Sequence, residues 1–271
     1  MVKMNDGRSM HQLGFGLWQV SNAEAETATL EAFKVGYRSI DSAAIYQNES
    51  GLGQAIAKSG LKREDMFITT KLWNSEQGYD TTLRAFDQSL KKLGLKEVDL
   101  YLIHWPAPKK NSYVDTWKAL IELQKQGLAK SIGVSNFTID NLKRILDATG
   151  VAPVLNQVEL HPQFQQKELR AFHAQHKILT EAWSPLGQGK ILDEGVLKNI
   201  AKKHGRTTAQ VILRWHLDQG IIAIPKSVTP SRIQENFQVF DFKLDADDMS
   251  QIDKMDKKSG RIGPDPDTAD F

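Results

Sequence analysis

Cysteine is missing altogether from the 271 residues. Disulfides, thiol nucleophiles and cysteine metal ligands are thereby excluded, and a reducing cytoplasm is the expected setting. No apolar run approaches the length needed to cross a bilayer. The opening "MVKMNDGRSMHQLG" lacks the apolar stretch of a secretory signal, so neither export nor membrane attachment is expected. Neither charge sign dominates: 35 Lys and Arg face 33 Asp and Glu, a formal net charge of +2. With no strong field and no basic run interleaved with aromatics, nucleic acid is not an expected partner. A dinucleotide fingerprint is also absent. "GLGQAI", from Gly51 to Ile56, lacks the third glycine, and "LGFGLW" is only a Gly-x-Gly turn.

What is present is a rhythm. Short β-type runs alternate with longer amphipathic helical patterns. The strand candidates are "LGFGLW", "YRSID", "MFITTK", "VDLYLIH", "AKSIGVS", "VLNQVEL", "KILTEAW" and "IIAIPK". Between them lie helical stretches such as "AEAETATLEAFKVG", "TTLRAFDQSLKKLG" and "IDNLKRILDATG", each closed by glycine, a common helix stop. No Pro/Ser-rich linker divides the chain. Parallel βα units in one domain, residues 1–271, are the expectation. Eight strand candidates in this length point to a (β/α)8 TIM barrel, with a doubly wound sheet as the alternative. Extra helices are expected around "GVLKNIAKKHG" and "TTAQVILRWHLDQG", and again after "IIAIPK".

In a barrel, chemistry sits where strands end and the following loops begin. The second strand candidate ends at Asp41, the third at Lys71 and the fourth at His104. Each residue alone has an ordinary explanation: a helix cap, a solvated charge, a hydrogen-bonded core histidine. Three at successive strand ends share one barrel mouth, and Tyr46 follows Asp41 closely. A phenol ionises near pH 10 and is a poor acid at neutrality. An adjacent ammonium is expected to lower that value, and a carboxylate beside the ammonium keeps it charged. Asp41 would hold Lys71, Lys71 would sharpen Tyr46, and His104 would hydrogen-bond a substrate oxygen. Such a set can protonate a carbonyl oxygen while hydride reaches the carbon.

A second constellation lies in "IPKSVTPSRIQEN". Lys226 and Ser227 end the last strand candidate. Thr229-Pro230 reads as an N-cap followed by proline at the first helical position. Arg232 then falls in the first turn, where a cation opposes the helix dipole. A bound anion relieves that conflict, because free backbone N–H groups point at it. Lys226, Ser227 and Arg232 therefore read as a phosphate site.

The segments "GYRSIDSAAIYQNE", "FITTKLW", "VDLYLIHWP", "KSIGVSNF", "NQVELHP", "WSPLGQG" and "IPKSVTPSRIQEN" resemble, in order, the signatures of the aldo-keto reductase family. The likeness spans nearly the whole chain and is strongest to the bacterial 2,5-diketo-D-gluconate reductase branch. The resemblance implies a (β/α)8 barrel, NADPH as cofactor, and a catalytic tetrad of Asp41, Tyr46, Lys71 and His104. It assigns the 2′-phosphate of NADPH to Lys226, Ser227 and Arg232, and the adenine to Glu235 and Asn236, with Val228 also among the cofactor-binding residues. Ser135, Asn136 and Gln157 would take the nicotinamide carboxamide, with Trp183 stacked on the ring. Relatives often carry tyrosine at the position of Trp183. Ser184, Leu186 and Gly187 would follow the pyrophosphate.

Trp18, Trp73 and Trp105 stand at strand ends beside the tetrad and suggest an aromatic-walled pocket for a small carbonyl compound. Ile45, Asn48 and His104 are expected to line it too. Trp117 and Trp215 fall on helices and read as core. Lys109 and Lys110 read as a solvated pair, and the short tail after the last helix predicts broad substrate acceptance. His173 and His176, without a third ligand nearby, read as surface residues, so no metal is expected. The expected protein is a monomer, as many of the family are. Its expected reaction is NADPH-dependent reduction of aldehydes and ketones, with 2,5-diketo-D-gluconate to 2-keto-L-gulonate as one candidate. Methylglyoxal, β-keto esters and aromatic aldehydes are alternatives. A Schiff-base lyase using Lys71 and a non-catalytic NADPH sensor are the competing classes. Asp41 argues against the first, since an amine nucleophile must be neutral.

Overall fold

The computed structural model describes residues 1–269 and 271. A short hairpin comes first, β1 (Val2–Lys3) paired antiparallel with β2 (Ser9–Met10). Eight parallel strands follow: β3 (Phe15–Gly16), β4 (Ser39–Asp41), β5 (Phe67–Leu72), β6 (Val98–Ile103), β7 (Ala129–Ser135), β8 (Leu155–Glu159), β9 (Leu179–Trp183) and β10 (Ile222–Ala223). They pair strictly in chain order, and a parallel bridge from Leu13 to Ala223 joins the first to the last. This is the (β/α)8 barrel, and each strand candidate read from the sequence contributes one of its staves. The doubly wound alternative is excluded, because sequential neighbours never change direction around the sheet.

Alternation along each strand divides the residues between two environments. One set, with Phe67, Leu100, Leu102, Leu155 and Ile222, fills the barrel interior. Met4 and Met10 of the hairpin seal its floor. The hairpin is not legible in the sequence, because Val2–Lys3 and Ser9–Met10 lie in no apolar run of the kind that marks the barrel strands. The other set packs outward against the helices. Trp117 and Trp215 are fully buried there, as expected. The helices between strands are α1 (Asn22–Val35), α2 (Glu49–Lys58), α3 (Tyr79–Leu93), α4 (Tyr113–Lys125), α5 (Ile139–Thr149) and α6 (Lys167–Gln175). Two helices, α7 (Gly195–His204) and α8 (Thr208–Asp218), separate β9 from β10, and α9 (Pro230–Phe237) and α10 (Ala246–Asp253) end the helical part. No helix among the described residues is long and apolar enough to cross a membrane.

One expectation is corrected here. His176 is exposed, but His173 is 1% exposed and lies inside. Its ring spans Thr180 Oγ1 at 2.9 Å and Asn156 Nδ2 at 3.1 Å. An amide nitrogen only donates, so Nε2 of His173 must accept and Nδ1 carries the hydrogen toward Thr180. A second proton would face the amide N–H2 directly. The sequence hides this because α6 turns its His173 face inward over β9 while its His176 face looks out.

Burial, with Arg170 and His176 nearby, pulls His173 down to about 4. The native protein thus refuses at His173 a proton that the unfolded chain accepts near pH 6.5. The contribution of His173 is complete above about pH 6.5 and is lost as pH falls toward 4, at roughly 3 kcal/mol. Urea midpoints measured from pH 7 down to pH 4.5 are expected to drop steeply across that window. A flat profile there would contradict the buried neutral assignment.

Candidate active site

The carboxyl ends of the strands carry the charged groups. Asp41 ends β4, and Lys71 lies one residue before the end of β5; both face the barrel interior and are at most 4% exposed. Lys71 Nζ donates to Asp41 Oδ1 at 2.5 Å and to the carbonyl of Ser42 at 2.9 Å. Burial alone would strip the ammonium of its proton. Asp41, Tyr46 and Glu181 together outweigh burial, so the Lys71 value is raised and the side chain stays charged.

Tyr46 comes from the 3-10 turn Ala44–Tyr46 that follows β4. The Lys71 nitrogen lies 5.0 Å from its ring centre. The phenolic oxygen is 3.5 Å from His104 Nε2, and the two rings meet edge to face. His104 follows β6, is 8% exposed, and is held well below its ordinary value by burial and then by Lys71. It is therefore a neutral imidazole at pH 7. Its Nδ1 makes no hydrogen bond to any described residue. The four residues reached from strand-end chemistry do converge on one spot.

One part of the electrostatic expectation is corrected. Tyr46 is raised above its ordinary value, not lowered. Burial is the largest influence and pushes the phenol up. Lys71 pulls it down, and Asp41 pushes it up again. Burial is a property of the packed mouth, so residue types and spacing cannot weigh it against the ammonium. The role left to Lys71 is to limit how far burial weakens the acid.

The turn carrying Tyr46 is held by Asn48, and here the pocket assignment of Asn48 is overturned. Its side chain is fully buried. Nδ2 donates to the carbonyls of Leu17 and Val20 at 2.9 Å each, and Oδ1 accepts from Ser42 Oγ at 2.7 Å. With those groups taken, Asn48 braces the loop after β3 against the loop after β4. Trp18 and Ile45 remain exposed at the rim. Trp73 lies 5.2 Å from His104, edge on, and Trp105, the next residue in the chain after His104, is buried.

A neighbouring amide cluster spans β7 to β9. Ser135 Oγ donates to the carbonyl of Gln157 at 2.8 Å, and Asn136 Nδ2 donates to the His104 carbonyl and to Ser135 Oγ. Asn136 Oδ1 accepts from Trp183 Nε1 at 2.8 Å. Gln157 Nε2 donates to Asp41 Oδ2 and to Glu181 Oε2, at 2.9 Å each. Both hydrogens of the Gln157 amide are used within the protein, and its carbonyl oxygen is left to accept. Asn136 and Ser184 both have positive φ, 62° and 48°. Asparagine tolerates that conformation and serine much less. In the turn after β9, the Gly187 N–H closes onto the Ser184 carbonyl, and Leu186 is half-buried.

Further round the mouth, α9 begins as expected, with Thr229 at the cap position and Pro230 at N1. The cap bond itself differs. The Thr229 side chain makes none; instead Ser227 Oγ accepts from the Thr229 N–H at 3.1 Å. Lys226, Val228 and Arg232 are exposed, and neither cation forms an ion pair with a described residue. Glu235 Oε1 accepts from Thr207 Oγ1, and Asn236 is buried.

The tail is a further correction. Residues after α10 do not leave the mouth open. Glu159, which ends β8, accepts the Ile262 N–H on Oε1 at 2.5 Å and the Gly263 N–H on Oε2 at 2.8 Å. His161 supports the same carboxylate at 3.1 Å. A Cβ on Gly263 would sit 2.5 Å from the Trp183 ring, so only glycine allows this approach. Phe271 then stacks on Trp73 at 5.7 Å and meets Trp105 edge on at 5.1 Å. Asn74 donates to its backbone oxygen at 3.0 Å. Lys110, expected to be solvated, is exposed but also donates to the Asn74 carbonyl. Gln157 and Glu159 alternate on one strand face, a signal that could have marked Glu159; nothing in the sequence marks Phe271.

Known proteins resemble this chain over nearly its full length. The sequence model of the aldo/keto reductase family matches residues 12–257. The methylglyoxal reductase DkgA of Escherichia coli K12 is 55% identical, over 98% of this chain and 97% of that protein. The crystal structure of an aldo/keto reductase from Brucella melitensis is 60% identical, covers 94% of this chain and 98% of its own, and superposes with a TM-score of 0.92. A mutant of Gox0644, whose crystal structure is in complex with NADPH, is 54% identical over 100% of this chain and 98% of its own, with a TM-score of 0.95. In sequence over nearly its full length and in the fold that carries the site, the chain belongs to the aldo/keto reductase family, oxidoreductases acting on carbonyl groups.

Proposed function

We propose that the protein reduces small aldehydes and ketones to alcohols with NADPH, and that Tyr46 delivers the proton. The observation that carries the reading is the buried Lys71–Asp41 pair under Tyr46, with neutral His104 3.5 Å from the phenolic oxygen. NADPH, when bound, supplies the hydride that reduces the carbonyl carbon. Tyr46 and His104 meet at one point of the mouth, so a carbonyl oxygen placed there is bonded by both. Tyr46 hands over its proton as negative charge develops on that oxygen. Lys71 steadies the phenolate left behind. Lys71 is buried and held charged, which is the wrong state for a Schiff-base nucleophile.

The chain's free groups suit the cofactor. Lys226, Ser227 and Arg232 offer two exposed cations and a hydroxyl at a helix start, fit for the 2′-phosphate. Val228 lies beside them, and Glu235 and Asn236 on α9 are assigned to the adenine. Gln157 offers its carbonyl oxygen to the carboxamide N–H2, and Asn136, whose Oδ1 keeps one lone pair beyond the Trp183 bond, is assigned to the same group with Ser135 beside it. Trp183, braced by Asn136 and Gly263, presents an indole face to the nicotinamide, and the backbone of Ser184, Leu186 and Gly187 follows the pyrophosphate. The substrate meets Trp18, Ile45, Trp73, Trp105 and His104. Phe271 against Trp73 and Trp105 favours small carbonyls over bulky ones, in line with the methylglyoxal reductases among the relatives. The reaction is assigned to one barrel domain, residues 1–271, working as a cytoplasmic monomer.

The test is NADPH consumption against a carbonyl panel that includes methylglyoxal, 2,5-diketo-D-gluconate, a β-keto ester and an aromatic aldehyde. Methylglyoxal is expected to turn over with the higher kcat/KM. Tight NADPH binding without turnover of any member would instead support a sensor. Arg232→Ala is expected to weaken NADPH by about 10- to 100-fold, the range for hydrogen bonds to a charged group, and to leave NADH nearly unchanged. Equal losses for the two cofactors would remove the 2′-phosphate assignment.

A further inference from the structure

Behind the tetrad lies a second buried carboxyl that the proposed reaction does not use. Glu181 sits in the middle of β9, faces the barrel interior and is 1% exposed. Its Oε2 accepts from Gln157 Nε2 at 2.9 Å, and the same nitrogen donates to Asp41 Oδ2 at 2.9 Å. The other oxygen of Asp41 holds Lys71. Side chains from β5, β4, β8 and β9 therefore form one buried line: Lys71, Asp41, Gln157, Glu181. An apolar residue would fill the position on β9 at lower cost, since burying a carboxyl is expensive without a specific partner. The charged groups acting on Glu181 are Asp41 from β4 and Lys71 from β5. Its partners in register, Gln157 on β8 and Ile222 on β10, are uncharged.

We propose that Glu181 is a positioning residue for the reaction: it locks Gln157 so that its carbonyl faces the nicotinamide carboxamide, and its charge adjusts the Lys71–Tyr46 proton donor. The inference rests on Tyr46 being that donor. An amide nitrogen carries two hydrogens, and the two carboxyls take one each, which leaves the Gln157 carbonyl a single outward direction. Burial, followed by Asp41, pushes Glu181 up to about 8, so the carboxyl is neutral at pH 7. Above that value it gains a negative charge that faces Lys71. The ammonium is then held more firmly, and its pull on a phenolate at Tyr46 is partly cancelled. Ionised Glu181 thus keeps Tyr46 protonated to higher pH.

Glu181→Gln imitates the neutral acid at every pH while keeping an acceptor for Gln157. In this variant the alkaline limb of kcat/KM for carbonyl reduction is expected to move to lower pH by about half a unit to one unit. Glu181→Leu removes the acceptor. It is expected to weaken NADPH binding about tenfold, with Glu181→Gln restoring most of the loss. A Glu181→Gln profile that superimposes on the parent's would overturn the proposal, whether or not the leucine variant folds. Tyr46→Phe measured alongside separates the two ideas. An active Tyr46→Phe enzyme refutes the donor assignment. An inactive one, with an unmoved Glu181→Gln profile, refutes only the role of Glu181.

Discussion

Tyr46→Phe is expected to lower kcat on the order of 10²- to 10⁴-fold, the range for removing a positioned general acid. The dissociation constant for NADPH is expected to stay within about twofold. The substitution deletes one oxygen from a half-buried ring. The ring's contact with the Lys71 nitrogen, 5.0 Å from its centre, survives the change, as does its edge contact with His104. Only the hydroxyl that meets His104 Nε2 is lost. Its absence is felt when negative charge develops on the substrate oxygen and hardly at all before. His104 cannot replace it as proton source, because burial and Lys71 keep the imidazole neutral. Pre-steady-state measurement of turnover with fluorescence titration of NADPH separates the two effects. A variant retaining more than about a tenth of parental kcat would remove Tyr46 from the role.

The second large effect concerns stability as well as rate. Lys71→Met is expected to destabilise the fold by about 3–5 kcal/mol, because it strands the Asp41 carboxylate in the barrel interior. Asp41 is 4% exposed and would keep only the Gln157 amide as a partner, with Glu181 close behind. Asp41→Asn paired with Lys71→Met removes both charges and is expected to recover most of the lost stability, while kcat stays low. That divergence separates the pair's effect on folding from its effect on the phenol. Urea denaturation of the two single variants and the double one gives the coupling directly. Additive losses in the double variant would mean that the 2.5 Å contact contributes little.

The parallel barrel is readable because its signals are local. Each stave announces itself by composition, and the glycines at Gly36, Gly94 and Gly150 close helices α1, α3 and α5 as their positions suggest. Asp41, Lys71 and His104 are readable for the same reason: a polar residue at the end of an apolar run is conspicuous. Asn48 deceives because an asparagine near a tetrad looks alike whether its amide faces a ligand or two backbone carbonyls. The tail deceives because the Glu159 clip joins residues more than a hundred positions apart.

The sequence by itself determined the order of strands and helices, the strand-end placement of the acid–base groups, and the two cations at the start of α9. These follow from periodicity, capping and residue chemistry, which act within a few residues. Tertiary structure alone decided how far burial raises Tyr46, which face of His173 is hidden, and where Phe271 comes to rest. It also decided that Glu181 shares the amide of Gln157 with Asp41. Each of these depends on which atoms from distant segments share a dry volume, and closing the sheet into a barrel is what brings them together.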